Sequence, residues 1–140
     1  MKQIITPLVF IYITLTLLSQ TSKDDYMKIE EEAEKLVKQQ LTAYNNRDID
    51  KFLIPFSDSV EVYTFPNKLM YVGKDKMKLA YQDKFKELTN LNCKITERII
   101  LGNTVIDSEE VTGIIPDKIL KAVAIYKIEN NKIQKVYFIK

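Results

Sequence analysis

The chain has 140 residues, 46% hydrophobic and 29% charged, a composition that folds and holds one core rather than two. It has no histidine and a single cysteine, Cys93, which excludes histidine triads and dyads, histidine-ligated zinc, an intramolecular disulfide and paired-cysteine motifs. With 21 basic against 19 acidic residues the net charge is +2, too balanced to argue for a nucleic-acid partner, and 3 glycines are too few for a glycine-rich phosphate loop.

Met1 and Lys2 give a short positive start, followed by an uncharged run of 15 residues from Ile4 to Leu18. Spanning a bilayer takes about 20 helical residues. The run instead suits the apolar stretch of a secretory signal peptide, with Ser19 as the small residue before the cut. The expected organisation is a leader over residues 1–19, export of the product, and one domain over residues 20–140 with no membrane span left after cleavage. The alternative is an anchor formed by residues 4–18. Gln20 to Lys23 reads as a polar lead-in, and Asp24 and Asp25 as caps for a helix. Ile29, Ala33, Leu36, Val37, Leu41 and Tyr44 then recur at helical spacing, and the helix ends near Asn45-Asn46. Asp48 is the expected N-cap of a short second helix carrying Ile49, Phe52, Leu53 and Phe56 on one side.

Val60–Phe65 alternates as a strand, stopped by Pro66-Asn67, and Leu69–Val72 pairs with it as a hairpin. Gly73 breaks the chain before a third helix, Lys74–Leu88, buried through Met77, Ala80, Tyr81, Phe85 and Leu88. Its Lys74, Lys76, Lys78, Lys84 and Lys86 alternate with Asp75, Asp83 and Glu87 and read as a solvated face. Four strands follow: Leu91–Leu101, Thr104–Ile115, Ile119–Glu129 and Lys132–Ile139, joined at Gly102-Asn103, Pro116-Asp117 and Asn130-Asn131. Cys93 falls on the apolar side of its strand with Leu91 and Ile95, as an inert core thiol. The expected fold is α+β in the order α-α-β-β-α-β-β-β-β, a curved, cone-shaped antiparallel sheet wrapped on three helices.

Turn arithmetic fixes which residues meet. A two-residue loop at Gly102-Asn103 sets Leu101 opposite Thr104, Arg98 opposite Asp107 and Thr96 opposite Glu109, with Glu97 and Ser108 on the other face. Arg98, Asp107 and Glu109 thus share one side, either as a cross-strand ion pair on a wet surface or as a site whose buried carboxyl serves as acid or base. The turn at Asn130-Asn131 pairs Tyr126 with Lys135 and Ala124 with Tyr137, placing Ala122, Ala124, Tyr126, Tyr137 and Ile139 on one face. Val123, Ile125, Val136 and Phe138 then form a second apolar face, which needs a cover: a second copy of the chain, or the chain's own termini.

The segments Ala43–Leu53, Phe56–Asn67, Tyr71–Tyr81, Arg98–Gly113 and Ala122–Ile139, in this order and spacing, resemble the SnoaL-like and ketosteroid-isomerase-like proteins of the nuclear transport factor 2-like superfamily. The resemblance implies a cavity between sheet and helices, lined by Tyr44, Tyr63, Phe65, Tyr71, Phe85, Tyr126 and Tyr137. It also implies that the sheet face is covered by a partner, hence a homodimer. Ketosteroid isomerases of this superfamily use an aspartate base with a tyrosine and a protonated aspartate as oxyanion hole. The corresponding positions here fall at Thr64, Gln40 and Ala124, none of them acidic. Relatives also commonly carry histidine after the aspartate of the VID segment, where this chain has Ser108. The expectation is therefore an exported domain that binds a small apolar or aromatic molecule, with no cofactor and no metal. One alternative is an isomerase- or cyclase-type enzyme using Asp107 or Glu109, with Arg98 beside them; another is a structural dimerisation module.

Overall fold

Ala33, Leu36, Val37, Gln40 and Ala43 recur every three or four residues and form the buried edge of helix α1, Pro7–Asn45. The computed structural model describes residues 7–140, with side chains from Ser22 onward. The expected leader, residues 1–19, falls where the structure gives no side chains or lies outside the described residues. Asp24 and Asp25 do not cap α1: the helix runs through them from Pro7, because no proline or glycine interrupts residues 8–45. Among the described residues no helix is long and apolar enough to cross a membrane.

The short helix α2, Ile49–Leu53, starts as expected on Asp48, whose carboxylate accepts the Lys51 amide at 3.0 Å. Phe56 does not extend it. Pro55 has no amide to carry the helix on, and Phe56 opens strand β1, Phe56–Thr64. Strand β2 is Lys68–Val72, and helix α3, Lys74–Glu87, buries Met77 and Phe85. Strands β3, Asn92–Leu101, β4, Thr104–Thr112, β5, Leu120–Glu129, and β6, Lys132–Ile139, complete the element order expected from the sequence. Strand β4 ends at Thr112, short of Ile115, because Gly113 takes φ +84°.

The six strands form one curved, unclosed sheet in the order β2-β1-β6-β5-β4-β3. All neighbours are antiparallel except β1 and β6, which run parallel with Val62 beside Val136 and Tyr63 beside Tyr137. The sheet is therefore mixed: its first hairpin docks on its last strand. The concave face carries Val62, Val105, Ala124, Ile128, Ile133 and Val136, all buried against the helices. Asn45, at the end of α1, grips the edge strand β3 through both amide groups. Its Nδ2 donates to the Cys93 carbonyl at 2.9 Å, and its Oδ1 accepts the Cys93 amide at 2.7 Å. Further along α1, Glu30 accepts the Gly102 amide at 2.9 Å and fastens the β3–β4 turn to the helix.

Two registers differ from the turn arithmetic. Arg98 meets Asp107 and Glu97 meets Ser108 as expected, but Thr96 is the extra residue of a β-bulge, so Ile95 rather than Thr96 faces Glu109. A second irregularity, at Lys127/Ile128, shifts β6 by one residue against β5. Tyr126 pairs with Val136 and Ala124 with Phe138, not with Lys135 and Tyr137. Because side chains alternate, this single step exchanges the faces of β6. Val136 and Phe138 turn inward and cannot form the outer cover surface with Val123 and Ile125. Tyr137 and Ile139 take their place there, and Tyr137 stacks on Tyr63 with ring centroids 4.9 Å apart.

Gly113 tests the close approach that ends β4. A β-carbon there would run into the Asn90 carbonyl oxygen and sit 2.6 Å from the Leu91 amide nitrogen. Gly113→Ala is expected to lower the free energy of unfolding by about 2 kcal/mol or more, read from urea denaturation. An unchanged midpoint would contradict the contact.

Candidate functional site

The inner face of the sheet and helices α1 and α3 enclose a cavity of about 450 Å³. Its helical wall is an aromatic cluster. Tyr44 of α1 meets Phe85 of α3 edge-on at 5.4 Å, and Phe52 of α2 lies 4.7 Å from Tyr81. Leu41, Phe56, Val62, Met77, Val111, Val136 and Phe138 make most of the remaining surface apolar.

The polar groups inside form one chain. Gln40 donates from Nε2 to the Tyr126 hydroxyl at 3.1 Å, and Tyr126 donates to Glu109 Oε1 at 3.3 Å. That uses the Tyr126 hydroxyl both as donor and as acceptor. Among the described residues the second Glu109 oxygen takes no protein partner. Among the described residues no buried side-chain nitrogen or oxygen is left unpaired, so this oxygen opens into the cavity. Burial, helped by the nearby Asp107 carboxylate and opposed by the Tyr126 hydrogen bond, pushes the Glu109 carboxyl up to about 7. Below that pH the carboxyl is neutral. Desolvation also pushes the Tyr71 phenol and the Cys93 thiol up to about 12 and raises Tyr44 further, so all three line the cavity as neutral groups.

Behind Glu109, two residues along β4, Asp107 is fully buried. Arg98 grips it with two parallel bonds, Nε to Oδ1 at 2.6 Å and Nη2 to Oδ2 at 2.7 Å, and reaches Glu34 of α1 at 3.7 Å. Of the three charged residues singled out in the sequence, Glu109 alone faces the cavity. Asp107 and Arg98 form the wall behind it. Of the aromatic set, Tyr44, Tyr71 and Tyr126 line the cavity, and Phe85 packs into its helical wall. Tyr63, Phe65 and Tyr137 do not line it: Tyr137 follows the shifted register of β6, and Tyr63 stacks beside it on the outer face. Phe65 lies just past the end of β1 and is half exposed. Tyr81, Lys84 and Cys93 also line the cavity but were not expected to, and Gln40 lines it at the position the resemblance matches to a catalytic tyrosine. The signal for Tyr81 is its place one helical turn from both Met77 and Phe85. For Gln40 the resemblance is the signal, since a glutamine on an apolar stripe carries no pattern of its own.

No protein-family model and no curated protein matches the sequence. Solved structures do match. A cystatin-fold protein of Novosphingobium aromaticivorans superposes with a TM-score of 0.71 at 22% identity, over 77% of this chain and 97% of that one. A SnoaL-like protein of Burkholderia thailandensis gives 0.66 at 13% identity, over 79% and 94%. An LEH-like epoxide hydrolase of Mycobacterium tuberculosis gives 0.63 at 17% identity, over 79% and 84%. The chain has the NTF2-like fold. Within this NTF2-like frame, the positions that the resemblance links to isomerase catalysis hold no acid. Gln40 lines the cavity, Thr64 is half-buried outside it, and Ala124 is packed into the core. The carboxyl this cavity does hold, Glu109, comes from β4.

Two outcomes follow from this geometry. Arg98→Met leaves the Asp107 charge buried without its partner and is expected to cost about 3–5 kcal/mol of stability, most of it recovered in Arg98→Met/Asp107→Leu. Equal destabilisation of the single and double variants in urea titrations would contradict the pairing. Glu109 titrates near 7 folded and near 4.5 unfolded. The folded state therefore holds a proton that the unfolded state gives up between these values. The Glu109 contribution to stability falls as pH rises across that window, by about 3 kcal/mol in all, and levels off above and below it. Denaturation at pH 4.5 and pH 7.5 should show this fall in the native chain and not in Glu109→Gln.

Proposed function

We propose that this domain binds a small hydrophobic or aromatic molecule carrying a hydrogen-bond acceptor. The observation that carries this reading is the Glu109 carboxyl, with one oxygen held by Tyr126 and the other opening into a largely apolar and aromatic cavity of about 450 Å³. That volume lies in the range of about 300–1,000 Å³ common for small-molecule sites. Apolar walls supply affinity by shedding water from a flat or aliphatic ligand. Glu109, neutral below about 7, supplies direction by donating its proton to a carbonyl or ether oxygen. Its hydrogen-bonded chain to Tyr126 and Gln40 holds the carboxyl in place, so little ordering is left to be done on binding.

A second reading is favoured by that same carboxyl: an acid poised near 7 in a water-poor cavity suits general acid–base catalysis. The fold houses chemistry elsewhere, as in the epoxide hydrolase of M. tuberculosis. On this reading Glu109 moves the proton and Asp107, held by Arg98, keeps to its structural place. Turnover that follows one ionisation near pH 7 and vanishes in Glu109→Gln would establish it over simple binding.

The binding reading is tested with N-phenyl-1-naphthylamine, an uncharged probe that fluoresces in apolar surroundings. Its emission should rise to saturation at a single site in the native chain. Ala122→Trp, which fills the cavity from β5, should abolish the rise. No enhancement in the native chain, or undiminished enhancement in the filled variant, would count against a ligand cavity.

A further inference from the structure

Among the described residues, the cavity lining holds four charged side chains: Glu109 inside, and Lys84, Lys121 and Lys140. Exposure separates them. Glu109 is buried, whereas Lys121 and Lys140 are exposed beside the half-exposed Met70 and Ile114, which marks this end as the mouth. The lysines differ in how they are satisfied. Lys74 and Lys78 of the same helix as Lys84 reach Asp58 at 2.9 Å and Asp50 at 3.6 Å, and Lys121 leans outward to Glu110 at 3.5 Å. Lys84 and Lys140 have no carboxylate within ion-pair range among the described residues. Each lies instead over an aromatic face at the cavity, Lys84 at 4.8 Å from the Tyr81 ring and Lys140 at 5.9 Å from the Phe138 ring.

Lys84 is thus half-buried with no counter-ion. Desolvation and then repulsion from Lys140 lower its pKa, in keeping with the two lysines lining one cavity. A pair of unneutralised cations at the mouth of an apolar pocket is a cost to the empty protein. An anion placed between them removes that cost, while the hydrocarbon stems of both lysines cover an apolar ligand below. Among the described residues no other acidic side chain lines the cavity to repel such an anion.

We infer that the ligand is an amphipathic anion, a carboxylate or similar acid whose apolar body fills the cavity and whose charged head sits between Lys84 and Lys140. This rests on the cavity reading above and gives that ligand its polarity and its orientation, head outward.

Decanoate, decanol and decylammonium share one chain and differ only in head group, so their displacement of N-phenyl-1-naphthylamine isolates the charge. Decanoate should bind at least about tenfold more tightly than decanol, and decylammonium more weakly than either. In Lys84→Gln/Lys140→Gln the ratio of decanoate to decanol affinity should fall to about one, whatever the loss of stem contacts does to both ligands, and in the native chain that ratio should fall with rising salt. Lys140→Gln alone should reduce it, which serves if the double variant is not folded. Equal binding of decanoate and decanol, or a carboxylate preference that survives the substitutions, overturns the inference and leaves the cavity reading standing. If none of the three displaces the probe although the probe itself binds, the head-group assignment fails. If the probe does not bind at all, the cavity reading fails with it.

Discussion

The bond between Arg98 and Asp107 organises the inner face of this protein. A carboxylate with no exposure is tolerable only beside a permanent, geometrically matched cation, and guanidinium on a neighbouring strand is such a match. The pair locks β3 to β4 and, through Glu34, ties both to α1. Because strand residues alternate, placing Asp107 inward forces Glu109 inward as well. The first carboxylate is neutralised by its arginine. The second has only a phenol for company and is left protonated far above the ordinary carboxylate range. One ion pair thus fixes both the rigidity of the wall and the chemical state of the group that faces the cavity.

The β3–β4 hairpin was legible because its information is local. Gly102-Asn103 sets a tight turn, and the register from Leu101 to Glu97 follows from it. The bulge at Thr96 was not legible, since nothing in its composition sets it apart from a regular strand residue. The same holds at Lys127/Ile128, where the consequence is larger. One inserted position moved Val136 and Phe138 inward and sent Tyr137 outward, where it stacks on Tyr63, so two of the five tyrosines expected in the cavity decorate the opposite face. Where strands are apolar on both sides, the alternation of residue types does not report which side is inside.

Helical faces read more simply. Met77, Tyr81 and Phe85 fell where their spacing put them, and so did Tyr44. What spacing did not reveal was function within a face. Lys84 looked like one of five alternating solvent-exposed lysines, and only the fold shows that it shares the Tyr81 side and curls over its ring. Gln40 likewise becomes meaningful only once Tyr126, 86 residues away in sequence, is brought against it. Residues whose role depends on a distant partner are legible only after the tertiary contacts exist.

Asn45 carries a further consequence. By offering β3 one donor and one acceptor, its side-chain amide occupies the position a seventh strand would take, for one residue of the rim. Among the described residues no side chain bonds to the backbone of the opposite rim in this way. Strand β2 is five residues long and leaves Leu69, Met70 and Val72 about half exposed. Open edges of this kind recruit extended peptide from other molecules.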